Sequence, residues 1–313
     1  MQRVEINSND ANQRLDKFLT KTFPELPQTM MYKAIRKKDI KINKKRCEIS
    51  TRLNEGDVVE IYVKDEFLVK KEKKTVKNIM PVLNILFEDK NIILIDKAPG
   101  VSVHSDLTTD EPALVDEIQA YLYLKGEYNP DDEASFAPSL CNRIDKNTGG
   151  IVIAAKNANA LRIMNEKIKN REISKKYLCL VHGKMWPKEA TLTAYHIKNT
   201  KQNRAYIFDE EVENSRKIAT KYKVLKQKGG LSLLEVELLT GRTHQIRAHL
   251  AHIGHPLAGD TKYGTNEQNK NLDYKYQALY AYKIKFTFEK KTDLHYLNGK
   301  EFTVKEVYFA KDI

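Results

Sequence analysis

The chain has 313 residues, 41% hydrophobic and 31% charged, with 54 Lys and Arg against 42 Asp and Glu and a formal charge of +12. That length suits one sizeable domain plus a small one, at roughly 150 residues per domain, and the composition is that of a folded soluble protein. No run approaches the roughly 18 apolar residues of a membrane-spanning helix, and the opening MQRVEINSND lacks the apolar stretch of a secretory leader. Cys47, Cys141 and Cys179 lie far apart, which excludes paired zinc spacing or a disulfide framework and points to a reducing cytoplasm. The excess of cations makes a polyanion, nucleic acid above all, the leading partner class. A Lys-rich genome produces the same excess, so the placement of the charge has to decide.

Residues 1–64 form the first predicted unit. Leu15, Phe18 and Leu19 make one apolar helical stripe, and Met31, Ala34 and Ile35 make another. Short strands follow at 40–42 and 58–63, the second preceded by the turn Asn54-Glu55-Gly56-Asp57. Lys33, Arg36, Lys37, Lys38, Lys41, Lys44, Lys45 and Arg46 crowd the helix end and the following hairpin, against a lone Asp39. A solvated charge run is the plain reading; such density on one short segment favours phosphate binding. Residues 65–79, mostly charged and without periodicity, read as a linker to a second domain spanning 80–313.

The second domain is β-rich. Segments 82–87 and 92–96 flank a polar turn and predict a hairpin, and 151–155 is a short apolar strand. Ala160, Leu161, Met164 and Ile168 fit a helix face, and 174–182 alternates as a strand. Strands are predicted near 219–225 and 231–239, a helix carries Ile246, Leu250 and Ile253, and a late strand covers 277–288. The short spacing predicts an α+β fold with a mixed, largely antiparallel sheet and flanking helices, beside a small N-terminal α/β domain.

Two segments could carry chemistry. In the run from Cys141 to Gly150, Asp145 lies between Arg143 and Lys146 and ahead of Gly149-Gly150, as on a tight loop presenting a carboxylate. Neighbouring cations keep such a group ionised, available as nucleophile or base; an Asp capping a turn is the structural alternative. The second segment, Thr240 to Pro256, opens on a Gly turn and carries His244, His249, His252 and His255. No Cys accompanies these histidines and no Glu stands between a pair of them, so a metal site is not expected.

The N-terminal unit resembles the S-four-type RNA-binding domain, named for a ribosomal protein. The resemblance is carried by residues 14–19, the basic helix end, residues 39–43 and residues 53–57. The second domain resembles the RluA-type pseudouridine synthases, whose signature is close to H-R-L-D-x-x-T-S-G. Asn142 through Gly150 matches it, as do residues 96–100, Lys176-Tyr177, Thr240–Pro256, Gly259-Asp260, Tyr263-Gly264 and residues 277–279.

This resemblance implies isomerisation of a uridine in structured RNA without metal or cofactor; the basic N-terminal unit favours ribosomal RNA, with transfer RNA as the second class, and a monomer is the default expectation. It makes Asp145 the catalytic carboxylate, acting by covalent addition or proton abstraction, and Arg242 its ion-pair partner. Tyr177 would stack on the uracil and help remove its carbon-5 proton; taken alone, Tyr177 and Leu239 are ordinary strand-core residues. Leu239 would wall the pocket and Arg143 would fill the space left by the flipped base. Thr148, His244, Gln245 and Arg247 join the substrate-binding set. Asn142, Ile144 and Gly149 replace the usual His, Leu and Ser. A catalytically silent RNA-binding protein of the same fold is the alternative, and a metal-dependent hydrolase built on the histidines is a second.

Overall fold

The computed structural model describes residues 1–69, 76–104, 111–311 and 313, so the central part of the predicted linker, 70–75, lies outside the described residues. The N-terminal unit holds β1 (Gln2–Glu5), α1 (Leu15–Thr22), α2 (Gln28–Lys37), β2 (Ile40–Ile42), β3 (Lys45–Arg46) and β4 (Val58–Ile61). Its four antiparallel strands run in the order β1-β4-β2-β3. The two predicted stripes supply the core: Leu15, Phe18 and Leu19 of α1 are fully buried, and Met31 and Ile35 of α2 pack with them. Asn43 and Lys44, between β2 and β3, both have positive φ (51° and 64°), the backbone of a tight hairpin turn.

The rest of the chain contributes β5 (Ile85–Glu88), β6 (Ile92–Lys97), α3 (Leu114–Leu124), β7 (Ser139–Leu140), β8 (Gly149–Ala155), α4 (Ala158–Lys169) and β9 (Ile173–His182). There follow β10 (Glu189–Asn199), β11 (Arg204–Phe208), β12 (Arg216–Lys228), β13 (Leu231–Leu238), α5 (Gln245–His252), α6 (Asn266–Asn269), β14 (Leu279–Phe286) and β15 (Glu301–Thr303). The strands form one sheet of eleven in the order β11-β10-β12-β13-β9-β14-β8-β6-β5, with β15 beside β14 and β7 beside β8. Among the described residues only β14 and β8 pair in parallel. The fold is therefore the mixed, largely antiparallel sheet with flanking helices that the strand spacing predicts.

Both faces of β8 and of residues 92–95 in β6 are covered, so these stretches are apolar throughout rather than alternating. In β6, Ile92 and Leu94 face one core with Met164 of α4 and Phe309, whereas Ile93 and Ile95 face the other with α3 and α5. Tyr177 and Ile144 belong to the second core, and that face carries the site.

Two elements go beyond the sequence reading. The β10–β11 hairpin sits at the sheet edge, and most of its side chains are polar and only partly covered. Strand β12 extends beyond the predicted 219–225 at both ends. A ladder satisfies backbone groups whatever the side chains, so Lys-rich ends can pair without an apolar signal.

The two units touch through polar groups. Asn7 Nδ2 and Asn9 Nδ2 donate to the Glu133 carboxylate (3.0 and 2.6 Å), the Ser135 backbone N–H donates to Asp10 Oδ1 (3.0 Å), and Arg162 donates to the Ala11 carbonyl (3.0 Å).

Candidate active site

Asp145 lies on the loop between β7 and β8, and the loop is held from three sides. The Thr148 N–H donates to the Asp145 carbonyl (3.0 Å), closing the turn. Behind it, β8 opens with Gly149 and Gly150 packed against β14. A Cβ on Gly150 would stand 2.3 Å from the Ala281 carbonyl oxygen, and one on Gly149 would stand 2.3 Å from the Tyr280 ring. The Gly149 departure from the family signature thus has a physical cause: Tyr280 fills that space, its hydroxyl donating to Asp96 (2.7 Å). The Asn142 departure is accounted for as well. Its buried Oδ1 accepts from the Ile153 N–H (2.8 Å), tying the loop to β8.

The third support is Lys97 at the end of β6, 2% exposed, whose Nζ donates to the carbonyls of Ala98, Val101 and Lys146, each at 2.9 Å. Burial pushes its ammonium down to about 7, while the negative charges of Asp145 and Asp96 pull the other way. Three acceptors match the three N–H groups of the charged form; a neutral amine would leave one carbonyl without a donor.

The carboxylate itself meets Arg247. Nη1 of Arg247 donates to Asp145 Oδ2 (3.0 Å), while Nε and Nη2 donate to the two oxygens of Asp260 (2.7 and 2.9 Å). The Asp145 side chain is 27% exposed and Asp260 is wholly buried. Asp260 Oδ1 also accepts from the Lys262 and Tyr263 N–H groups (2.9 and 3.1 Å). Burial works against both charges, but these hydrogen bonds prevail, so Arg247 is held above its ordinary range and Asp260 below. The result is a guanidinium clamped by one buried carboxylate and aimed at a second that opens to solvent, a planar fork that Lys cannot imitate.

His244, the residue before α5, adopts left-handed backbone (φ 54°). Its Nε2 lies 3.8 Å from Asp145 Oδ2 and its Nδ1 lies 2.9 Å from the Tyr263 hydroxyl. Burial holds the imidazole below its usual range against the pull of Asp145, so it is neutral at pH 7. The Tyr263 ring has the guanidinium groups of Arg204 and Arg247 5.1 and 5.2 Å from its centre. On β9, Tyr177 is buried, and burial together with the Asp145 charge pushes its phenol far up. It is a neutral hydroxyl, not in the state a proton acceptor needs.

Several expectations are corrected by this geometry. Arg242 is exposed and has no bond to Asp145; the ion pair comes from Arg247. The reason lies in the helix start. Arg242 falls in the turn before α5, where its backbone N–H is taken by Gln245 Oε1 (3.1 Å), whereas Arg247 lies on the buried face of the first helical turn. Gln245 is not aimed at substrate either. Buried, it donates to the Ala219 carbonyl and Thr220 hydroxyl and accepts from Thr240, so its polar atoms are spent inside. Thr148 is likewise internal, its hydroxyl accepting from Gln277 (3.2 Å).

Arg143 is exposed beside the loop, and Leu239 is half-buried with its N–H on the Ala219 carbonyl (3.2 Å). The histidines do not converge. His249 Nδ1 faces Thr220 (3.0 Å), His252 faces Asp209 (2.8 Å), and His255 donates to the His182 carbonyl (2.8 Å). Among the described residues no group of three or more His, Cys, Asp or Glu could hold a metal ion.

The sequence reading passed over Lys97, Asp260, Tyr263 and Arg204 as site residues. The first three stand in segments quoted for the resemblance, but nothing in their spacing announces a buried lysine or a second carboxylate behind the arginine.

In the N-terminal unit, Lys33, Arg36, Lys37 and Lys38 at the end of α2 and Lys44, Lys45 and Arg46 on the hairpin are exposed, and Lys41 is partly so. Among the described residues none of these eight side chains forms an ion pair. Lys41 Nζ lies 5.4 Å from the centre of the Tyr62 ring.

Comparison with known proteins agrees with this architecture. Residues 91–252 match the family model described as RNA pseudouridylate synthase, and residues 13–59 match that of the S4 domain. An uncharacterized RNA pseudouridine synthase of Mycoplasma capricolum is 34% identical over 303 residues, covering 96% of both chains. The ribosomal large subunit pseudouridine synthase C of Escherichia coli is 31% identical, covering 86% of this chain and 82% of its own. Among solved structures, human RNA pseudouridylate synthase domain containing 4 superposes with a TM-score of 0.57 at 20% identity, over 72% of this chain and 90% of that one. With its family model covering more than half the chain, an S4 domain ahead of it and relatives above 30% identity along nearly its whole length, the protein belongs to the RNA pseudouridine synthases, a family of isomerases.

Proposed function

We propose that this enzyme converts uridines of large-subunit ribosomal RNA to pseudouridine, with Asp145 as the reacting carboxylate. The reaction breaks the bond from ribose C1′ to uracil N1, turns the ring, and joins C1′ to C5. The C5 proton leaves and N1 gains one, so atoms and electrons balance without a redox partner. The observation that carries this reading is the Asp145–Arg247–Asp260 array: one carboxylate oriented by a clamped guanidinium, open to solvent on its other side.

Tyr177, beside Asp145 on the same face of the sheet, supplies the flat wall against which a flipped uracil packs. Extruding a base from stacked RNA costs a few kcal/mol, and the exposed cations at the end of α2 and on the β2–β3 hairpin offset that cost by gripping phosphates. The names of the large-subunit relatives and the basic N-terminal domain both favour ribosomal over transfer RNA.

The test is tritium release from unmodified RNA labelled at uracil C5, comparing wild type with Asp145→Asn. Release from ribosomal RNA by wild type alone is the expected result. Release from transfer RNA only would reassign the substrate, and equal release by the variant would remove Asp145 from the mechanism. Tight binding without release would point to a silent RNA-binding protein.

A further inference from the structure

The chain contains one tryptophan, and it lies outside the site. Trp186 stands on the loop of residues 183–188 between β9 and β10, and that loop is tied down along its length. The Gly183 N–H donates to the Gly230 carbonyl (2.7 Å), and Ser232 Oγ donates to the Gly183 carbonyl (2.7 Å). The Met185 N–H donates to Ser232 Oγ (3.2 Å), and the Met185 carbonyl accepts from Gln227 (3.1 Å). The carbonyls of Pro187 and Lys188 accept from the Tyr222 hydroxyl (2.9 Å) and the Val224 N–H (2.7 Å). Met185 is buried, yet its neighbour Trp186 is 81% exposed. Leu225, displaced by the bulge between Val224 and Lys226 in the adjoining strand, is 48% exposed.

A loop this well anchored holds an indole in water without the entropy that a mobile loop would lose on binding. The charge of the neighbouring segments selects the partner. Lys184 and Lys188 flank the ring in the sequence, and Lys223 and Lys228 on β12 are exposed too. The neighbouring acid, Glu189, is paired with Lys221 (3.0 Å). The cores of protein interfaces are depleted in charge, whereas an aromatic platform among cations is the arrangement that binds unpaired nucleotides.

We propose that Trp186, with Lys184, Lys188, Lys223 and Lys228, is a second RNA contact, on which an unpaired base of the substrate stacks outside the pocket of the target uridine. Tyr177 pairs with Val236 and His182 with Leu231, so the loop lies beyond the far end of five residues of strand, about 17 Å from Tyr177. The contact therefore acts on RNA affinity and leaves the chemical step alone. It rests on RNA being the substrate.

The lone tryptophan makes the test direct. The full chain is titrated with an end-labelled, unmodified large-subunit ribosomal RNA transcript, following label anisotropy and tryptophan emission together. Emission is expected to be quenched in step with binding. Trp186→Ala should weaken binding about tenfold, and Trp186→Phe should stay within about threefold of wild type because it keeps a stacking face. Tritium release at saturating RNA should be unchanged in both. Binding with silent emission, or wild-type affinity in Trp186→Ala, overturns the site and leaves the enzyme reading intact. Emission that shifts with protein concentration alone also overturns it, since the surface would then be a contact between copies. No anisotropy change in wild type would remove the RNA reading itself.

Discussion

The N-terminal unit and the catalytic pocket use the same cations for opposite ends. At the end of α2 and on the β2–β3 hairpin, Lys and Arg side chains point to solvent and none of the eight forms an ion pair among the described residues. Behind Asp145 two cations are buried and saturated: Lys97 with three carbonyls, Arg247 with two carboxylates. An exposed unpaired charge remains available to a phosphate and is screened by salt. A buried, fully bonded charge fixes geometry instead, because every alternative leaves a polar group unsatisfied. Burial, and not residue type, separates the positive charge left open to a polyanion from the positive charge that orients Asp145.

The contrast breaks most readily at the two arginines of one motif. Arg247→Lys leaves the buried Asp260 and the Asp145 carboxylate without their planar partner. Breaking a buried pair costs about 3–5 kcal/mol of folding stability, and the misplaced carboxylate should lower single-turnover tritium release about 10²-fold. Arg242→Lys, at an exposed position, should stay within about threefold of wild type, as befits a surface charge. Equal losses in the two variants would make the inward–outward distinction wrong.

A second, smaller effect sharpens the buried side. His249 lies on α5 two residues after Arg247, and burial pushes its imidazole from 6.5 down to about 4. Above pH 6.5 it is neutral whether the chain is folded or not. As the pH falls from 6.5 to about 4 the unfolded chain gains a proton that the folded chain refuses, so stability declines across that window. The loss totals about 3 kcal/mol. Urea midpoints measured between pH 7.5 and 4 should show it, and His249→Leu should flatten the slope over the same range.

The smallest effect belongs to the exposed side. Reversing Lys44, Lys45 and Arg46 to Glu should raise KM for ribosomal RNA about tenfold at moderate salt. It should also reduce the slope of log affinity against log salt by about 2–3, the loss of three phosphate contacts. The rate at saturating RNA should not change. A fall in that rate would place the hairpin in the chemistry and erase the division between the two regions.

How much was legible in the sequence follows the same line. The helical stripes of α1 and α2, the alternation of β9 and the apolar runs of β6 and β8 are local patterns, so the β-rich architecture and the basic unit ahead of it could be read directly. So could the loop carrying Asp145, because paired glycines after a flanked carboxylate are a short-range signal. Strand β10, with its half-covered polar side chains, gave no such signal. Arg242 and Arg247 are indistinguishable by type and nearly by position. Only the start of α5 at Gln245 sends one outward and the other onto Asp145, and only the chain's return at Asp260 supplies the carboxylate that clamps it.

The room taken by Tyr280 beside Gly149 and the buried Lys97 beneath the loop likewise join residues far apart in the chain. The sequence by itself determined the elements, the charge distribution and the local setting of Asp145, because these depend on neighbours along the chain. The tertiary structure decided which cations are buried and what they face, because desolvation and hydrogen-bond geometry exist only once the strands and α5 have packed.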